Sequence, residues 1–284
     1  MPSNRFPDSS EKRALRRRDA QLLEQFVKRI GHQLDYCGMP SVEFLDVEAW
    51  KTNLRSVLAV EYDSDVANDM RIERDGRQFP FVIKIVQGEI CRFLLDSADA
   101  FDVYNLDFYT GFVNPDRQAN ARSVSAIRRT FARQSQSRRS FALVTTFNVR
   151  DKGANEYLKF LEAARRELSS RPNADENISA HAGTQASRLK ICFLFFCWQQ
   201  AHATGFEQET EGVYVYHSAV AGSDERGRPA RHTMVHFHQR FMFRKEDILA
   251  VPVLQALIDV ANLTLYEMRE QVPHKRLVPP QITN

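Results

Sequence analysis

Short apolar runs and helix-periodic segments alternate along this chain, and that alternation constrains the fold more than any other feature. Val57–Val60, Phe81–Val86, Asp102–Leu106 and Phe141–Phe147 read as buried strands, each followed by turn residues and then a helical pattern. Parallel strands joined by helices produce this order, so the expectation is an α/β fold built on an open sheet. Leu34–Cys37 is a further short strand. The predicted helices are Glu11–Ile30, Val42–Leu54, Ser64–Arg74, Ser123–Arg133, Asn155–Leu168, Arg188–His202 and Val253–Arg269. Gly212–Ala219 and His232–Phe243 alternate apolar and polar residues like an antiparallel pair, with a charged loop between them. The predicted architecture is a Rossmann-like, seven-stranded, mostly parallel sheet with an antiparallel terminal strand pair.

Three segments follow from this reading. Residues 1–30 form a basic N-terminal helical extension, 31–250 the Rossmann-like domain, and 251–284 a C-terminal helix with a Pro-rich tail. The longest apolar run, Ile191–Trp198, is too short to span a bilayer, and Met1–Asp19 lacks the apolar core of a secretory signal. The four cysteines have no regular spacing and sit among apolar neighbours. The expectation is buried free thiols in a cytoplasmic protein with no membrane contact.

Ligands of open parallel sheets bind beyond the carboxyl ends of the strands. Those ends carry Gly38-Met39-Pro40-Ser41, Glu61-Tyr62-Asp63, Gly88-Glu89-Ile90 and Asp107-Phe108-Tyr109. A small-residue turn with an acid 23 residues further on suits a nucleoside. The turn admits a ligand to the backbone, and the carboxylate accepts from both ribose hydroxyls. An acid after the next strand can accept from an adenine amino group. Each of these acids has a simpler use as a loop residue or a helix cap.

At these residues the chain resembles the class I S-adenosylmethionine-dependent methyltransferases. Val82–Ile90 followed by Phe101–Asp107 is similar to that family's strand, Gly-acid pair, short helix and acid-terminated strand, and Val57–Glu61 is similar to its ribose-binding strand. The resemblance spans about residues 30–245. It implies S-adenosyl-L-methionine as cofactor, held by Gly38, Pro40, Glu61, Tyr62, Gly88, Glu89 and Ile90. It implies Asp107 and Tyr109 as catalytic residues, with Asp107 facing the methyl donor or substrate. Asp107-Phe108-Tyr109-Thr110 resembles, without matching, the Asp/Asn-Pro-Pro-Tyr of amino-methylating enzymes, and an aromatic residue there could stack on a flipped base. The family's first motif is an acid followed by several glycines, where Leu34–Pro40 offers one glycine.

From Arg117 to Arg150 there are eight arginines and no acid. Arg122, Arg128, Arg129, Arg133, Arg138 and Arg139 are candidates for binding nucleic acid or an acidic protein partner, since guanidinium groups pair with phosphate and steer anions. A solvated helix face is the alternative. His236 and His238 share one strand face with Arg240 and suggest a surface facing solvent or a cleft, with no metal expected. Two functions remain open: a methyltransferase acting on nucleic acid or another anionic macromolecule, or a catalytically silent subunit of that fold.

Overall fold

The computed structural model describes residues 8–108, 112, 117–149, 183–223, 229–244, 263, 265–267 and 275–277. The elements are α1 (Ser10–Ile30), β1 (Leu34–Gly38), α2 (Leu45–Trp50), β2 (Leu54–Glu61), α3 (Ser64–Gly76), β3 (Val82–Gln87), α4 (Ile90–Asp96) and β4 (Val103–Phe108). They continue as α5 (Arg117–Ser137), β5 (Phe141–Val149), α6 (Gln185–Thr204), β6 (Phe206–Ser223), β7 (Pro229–Phe243), β8 (Leu265–Glu267) and β9 (Lys275–Leu277).

The sheet runs β3-β2-β1-β4-β5-β7-β6-β8-β9. Strands β1 to β5 are mutually parallel, and β7 runs antiparallel to both β5 and β6. The expected Rossmann-like sheet with its closing antiparallel hairpin is therefore present. Two three-residue strands extend it beyond β6. One of them, Leu265–Glu267, takes the place of the predicted end of the helix Val253–Arg269, because it pairs in parallel with Val213–Val215. The predicted helix Asn155–Leu168 lies outside the described residues.

Helices cover both faces. Helices α4, α5 and α6 pack on one face around an aromatic cluster in which Phe147 touches Phe108, Phe112, Phe193 and Phe237 at ring-centroid distances of 4.8–6.1 Å. Burying one such ring stabilises the fold by about 1.5–3 kcal/mol. Helices α1, α2 and α3 cover the other face, where Phe26, Tyr36, Phe44 and Trp50 form a second core. All four cysteines are buried free thiols, and burial raises the thiol pKa of each. No helix among the described residues is long and apolar enough to cross a membrane.

Helix α1 is capped at both ends. The Ser9 side chain accepts from the Lys12 N–H, and Gly31 adopts a left-handed φ of 81° while its N–H bonds Val27 O. Its buried stripe contains Leu15, Leu22, Leu23 and Phe26, and Asp19, one of the helix's three acids, falls within it. The predicted N-terminal extension is thus packed into the domain: Leu23 and Phe26 belong to the second core, and the Trp50 indole donates to Arg16 O at 3.1 Å.

Candidate functional site

The order of strands reverses between β1 and β4, so the crevice at their carboxyl ends is where a fold of this kind accepts a ligand. Gly38 ends β1 and pairs with Asn105 of β4, and the Met39 N–H bonds Asn105 O at 3.0 Å. A Cβ on Gly38 would lie 2.3 Å from Asn105 O and 2.8 Å from the Tyr36 hydroxyl. Glycine is required here by the close approach of this chain's own backbone. The Asn105 side chain donates to the Tyr36 hydroxyl at 3.2 Å and to Asp46 at 3.3 Å. Met39 packs against the aromatic core, and Pro40 is buried.

Glu61 ends β2, half-buried, and its carboxylate accepts from the Asp63 N–H at 2.8 Å. Its carbonyl accepts from the Gly88 N–H, also at 2.8 Å, which ties the ends of β2 and β3 together. No atom stands within 4 Å of a Cβ built on Gly88, so its side-chain position is open. Glu89 is the N-cap of α4 and accepts from the Cys91 and Arg92 N–H groups at 2.9 Å. Its carboxylate is engaged in capping, the simpler of the two uses considered for it. Ile90 is buried at the start of that helix. Tyr62 is 77% exposed on the turn after β2. The backbone therefore brings Gly38, Pro40, Glu61, Gly88 and Glu89 to one edge of the sheet, with Tyr62 at its outer rim.

Asp107 lies inside β4 rather than after it, because β4 continues two residues past the predicted strand and pairs Asp107 with Thr146. It points to the α1 face and is half-buried. Burial raises its carboxyl pKa, against the pull of Lys12 and His236. Asp46 on α2 is also raised by burial, with Arg16 pulling it down and Asp19 and Asp107 pushing it up. Tyr109 lies outside the described residues.

From Asp107 a row of polar side chains crosses the sheet under α1. Thr146 pairs with His236, and His236 pairs with Tyr214. The Thr146 hydroxyl lies 2.9 Å from His236 Nδ1. The His236 and His238 rings meet Asp19 at 3.1 and 3.0 Å. Tyr214 turns back over Gly212, whose Cβ would stand 2.3 Å from the tyrosine hydroxyl. Arg18 donates to that hydroxyl at 3.3 Å. The face expected to meet solvent or a cleft is instead covered by α1, and a carboxylate supplied by the helix compensates the histidines. Among the described residues no group of three His, Cys, Asp or Glu side chains is placed to hold a metal.

Sequence reasoning passed over Asp19, Asp46, Asn105 and Thr146. For Asp19 a signal was present: an acid within the apolar stripe Leu15, Leu22, Phe26, where the helix's other two acids, Glu11 and Glu24, lie outside it. The others carry no local signal, since each matters only through a strand or helix that packs beside it.

The arginine segment divides. Arg122, Arg128, Arg129 and Arg138 are exposed, and Arg128 lies 5.7 Å from the Phe196 ring centroid. Arg133 is only 5% exposed and donates to Asp99 O at 3.0 Å and to Leu94 O. Arg139 donates to Asp102 at 2.7 Å and to Asp35 at 3.1 Å. Arg133 and Arg139 are therefore internal ties, a correction to their assignment as nucleic-acid contacts. Burial of one and carboxylate pairing of the other leave neither free to meet a phosphate.

No family model matches the sequence, and no curated protein matches it. Solved structures do resemble it. A Pyrococcus horikoshii protein described as an RNA methyltransferase aligns with 80% of this chain and 84% of its own at 10% identity, TM-score 0.42. A Bacillus halodurans protein described as a methyltransferase aligns with 80% and 99% at 13% identity, TM-score 0.42. The 23S rRNA methyltransferase ErmE aligns with 89% and 75% at 17% identity, TM-score 0.39. At these values the fold assignment rests on strand order and direction.

Proposed function

We propose that the chain is an S-adenosylmethionine-dependent methyltransferase acting on nucleic acid or another anionic macromolecule. The observation that carries this reading is Asp107: a recessed carboxyl with raised pKa, on the strand beside the switch point and next to a second such carboxyl, Asp46. The cofactor's nucleoside would lie across the ends of β1, β2 and β3, with Glu61 accepting from the ribose hydroxyls and the open position at Gly88 beside it. The cofactor supplies an electrophilic methyl group. Asp107 would then orient the substrate nucleophile and accept its proton. The exposed Arg122, Arg128 and Arg129 would draw in a polyanion.

Calorimetry with S-adenosylmethionine and S-adenosylhomocysteine tests the cofactor assignment. Glu61→Ala should weaken binding at least tenfold, since losing a hydrogen bond to a charged group costs about 1.5–3 kcal/mol. Unchanged affinity in the folded variant rejects the assignment. The polyanion assignment is tested by salt dependence. Replacing Arg122, Arg128 and Arg129 together by Ala should flatten the slope of log affinity against log salt by roughly three on duplex DNA. The same slope in the variant would reject these arginines as phosphate contacts.

A second reading, a catalytically silent subunit of this fold, is favoured by one feature. The space beside Gly38 is taken by Asn105 O and the Tyr36 hydroxyl, with no glycine-rich turn to admit a methionine tail. An absence of methyl transfer alongside intact polyanion binding would select it.

A further inference from the structure

A buried carboxylate between two imidazoles is costly unless charge answers it. Asp19 is 2% exposed on the sheet side of α1, and His236 and His238 are buried beneath it on β7. The His236 Nε2–H donates to Asp19, which leaves Nδ1 to Thr146. His238 donates through Nδ1, and its Nε2 has no hydrogen-bond partner among the described residues. Thr146 stands between His236 and Asp107 in register, one strand from each. Helix α1 is thus fastened to the middle of the sheet by the same imidazole that looks along the row toward Asp107.

We propose that Asp19 is a positioning residue of the Asp107 site: it holds the His236 imidazole between α1 and Thr146, so that α1 must be docked for the site to be complete. The catalytic meaning of this rests on the proposed role of Asp107, whereas the coupling among Asp19, His236 and Asp107 stands without it. A helix that served only as a lid would need apolar contacts alone. Here the helix delivers the one carboxylate that compensates a buried imidazole two strands from the candidate base.

The charges bear this out. Burial opposes ionisation of Asp19, yet His236 and His238 bring its pKa down to about 2. Burial opposes protonation of His236, yet Asp19 first, then Asp107 and Asp46, raise its pKa above 6.5. The other groups at this seam act further off. On α1, Lys12 acts on Asp107, Arg16 on Asp46, and Arg18 on Tyr214. On β6, Tyr214 lies 6.3 Å from His236 ring to ring, and Tyr216 is linked to Thr146; on β7, His232 bonds Asn148 at 2.9 Å. Since the His236 pKa is raised on folding, its contribution to docking is full below pH 6.5 and is lost as pH rises through the folded value. The Asp19 pKa is lowered, so its contribution is present above 3.8 and is lost as pH falls through about 2.

The test is a histidine-labelled full chain titrated by NMR. The wild-type His236 ring should titrate above 6.5. Asp19→Asn should lower its midpoint by about one unit, tenfold in proton affinity, because a carboxylate leaves its side. Asp107→Asn should lower it by a smaller step. An unmoved His236 midpoint in folded Asp19→Asn overturns the proposal. Should that variant fail to fold, an unmoved midpoint in Asp107→Asn overturns it instead. Where methyl transfer is measurable, Asp19→Asn should also displace the pH profile of kcat, which a merely structural role would leave in place. Absence of transfer by the wild type would count against the proposed function and leave the His236 titration to decide this inference separately.

Discussion

Asp107→Asn should reduce methyl transfer at least about a hundredfold while changing affinity for S-adenosylmethionine by less than about twofold. In the proposed role the carboxyl serves the substrate and not the cofactor, so its contact with a transferring proton would be made in the transition state and would add little to cofactor binding. As a base it must be ionised, and burial raises its pKa. The rate should therefore rise with pH along a limb lying above the ordinary carboxylate value of 3.8. Transfer from labelled cofactor to a mixed extract of RNA, DNA and protein, followed by kinetics on the accepting fraction, measures both quantities. Undiminished turnover in the variant would move the chemistry away from Asp107. A silent subunit would show no transfer in either protein, and polyanion binding would be the same in both.

Phe147→Ala should destabilise the fold by about 3–5 kcal/mol, the range for truncating a buried aromatic ring. Phe147 is fully buried, with Phe193 at 4.8 Å and Phe108 at 5.2 Å between ring centroids. Phe108 follows Asp107 on β4 and points to the opposite face of the sheet, so loss of this packing also loosens the strand that holds the candidate base. A domain of ordinary stability has about 5–15 kcal/mol to lose. Thermal unfolding should move down by on the order of 10 °C or more. Phe147→Leu should recover most of the difference. A shift of only a degree or two in the alanine variant would mean that the cluster repacks and that the strand end is held by other contacts.

Much of the architecture was legible because it is written in local periodicity. The strand segments at 57–60, 81–86, 102–106 and 141–147 all fall on strands of the sheet, and the terminal pair forms its antiparallel hairpin. Errors concentrated at ends and wherever pairing overrides propensity. Val42–Leu54 reads as one helix, yet Leu54 begins β2, because its backbone pairs with Leu34. Asp107 reads as a loop residue, yet lies in β4, because β5 extends far enough to pair it with Thr146. Strand length is set by the neighbour, and no pattern within residues 102–108 records it.

The candidate site divides in the same way. Gly38, Glu61 and Glu89 could be found from the sequence as candidates because each stands at or just after a strand end, a local property, and Asp107 because its strand reads as ending one residue before it. Their partners could not. Glu89 turns out to cap α4, since a carboxylate meets the free N–H groups of the next helix before it meets a ligand. Arg133 and Arg139 looked like their exposed neighbours in a run without acids, but helical geometry turns Arg133 inward, and Asp35 and Asp102 wait for Arg139. Asp19 and His236 lie 217 residues apart and meet only once the hairpin has closed the sheet and α1 has lain across it. Periodicity along the chain determined that there would be a sheet, which residues would line its carboxyl edge, and that α1 would bury one face. Which charges answer one another was decided by tertiary structure, because a buried ion pair depends on distance in space and desolvation, and neither is encoded in the order of residues nearby.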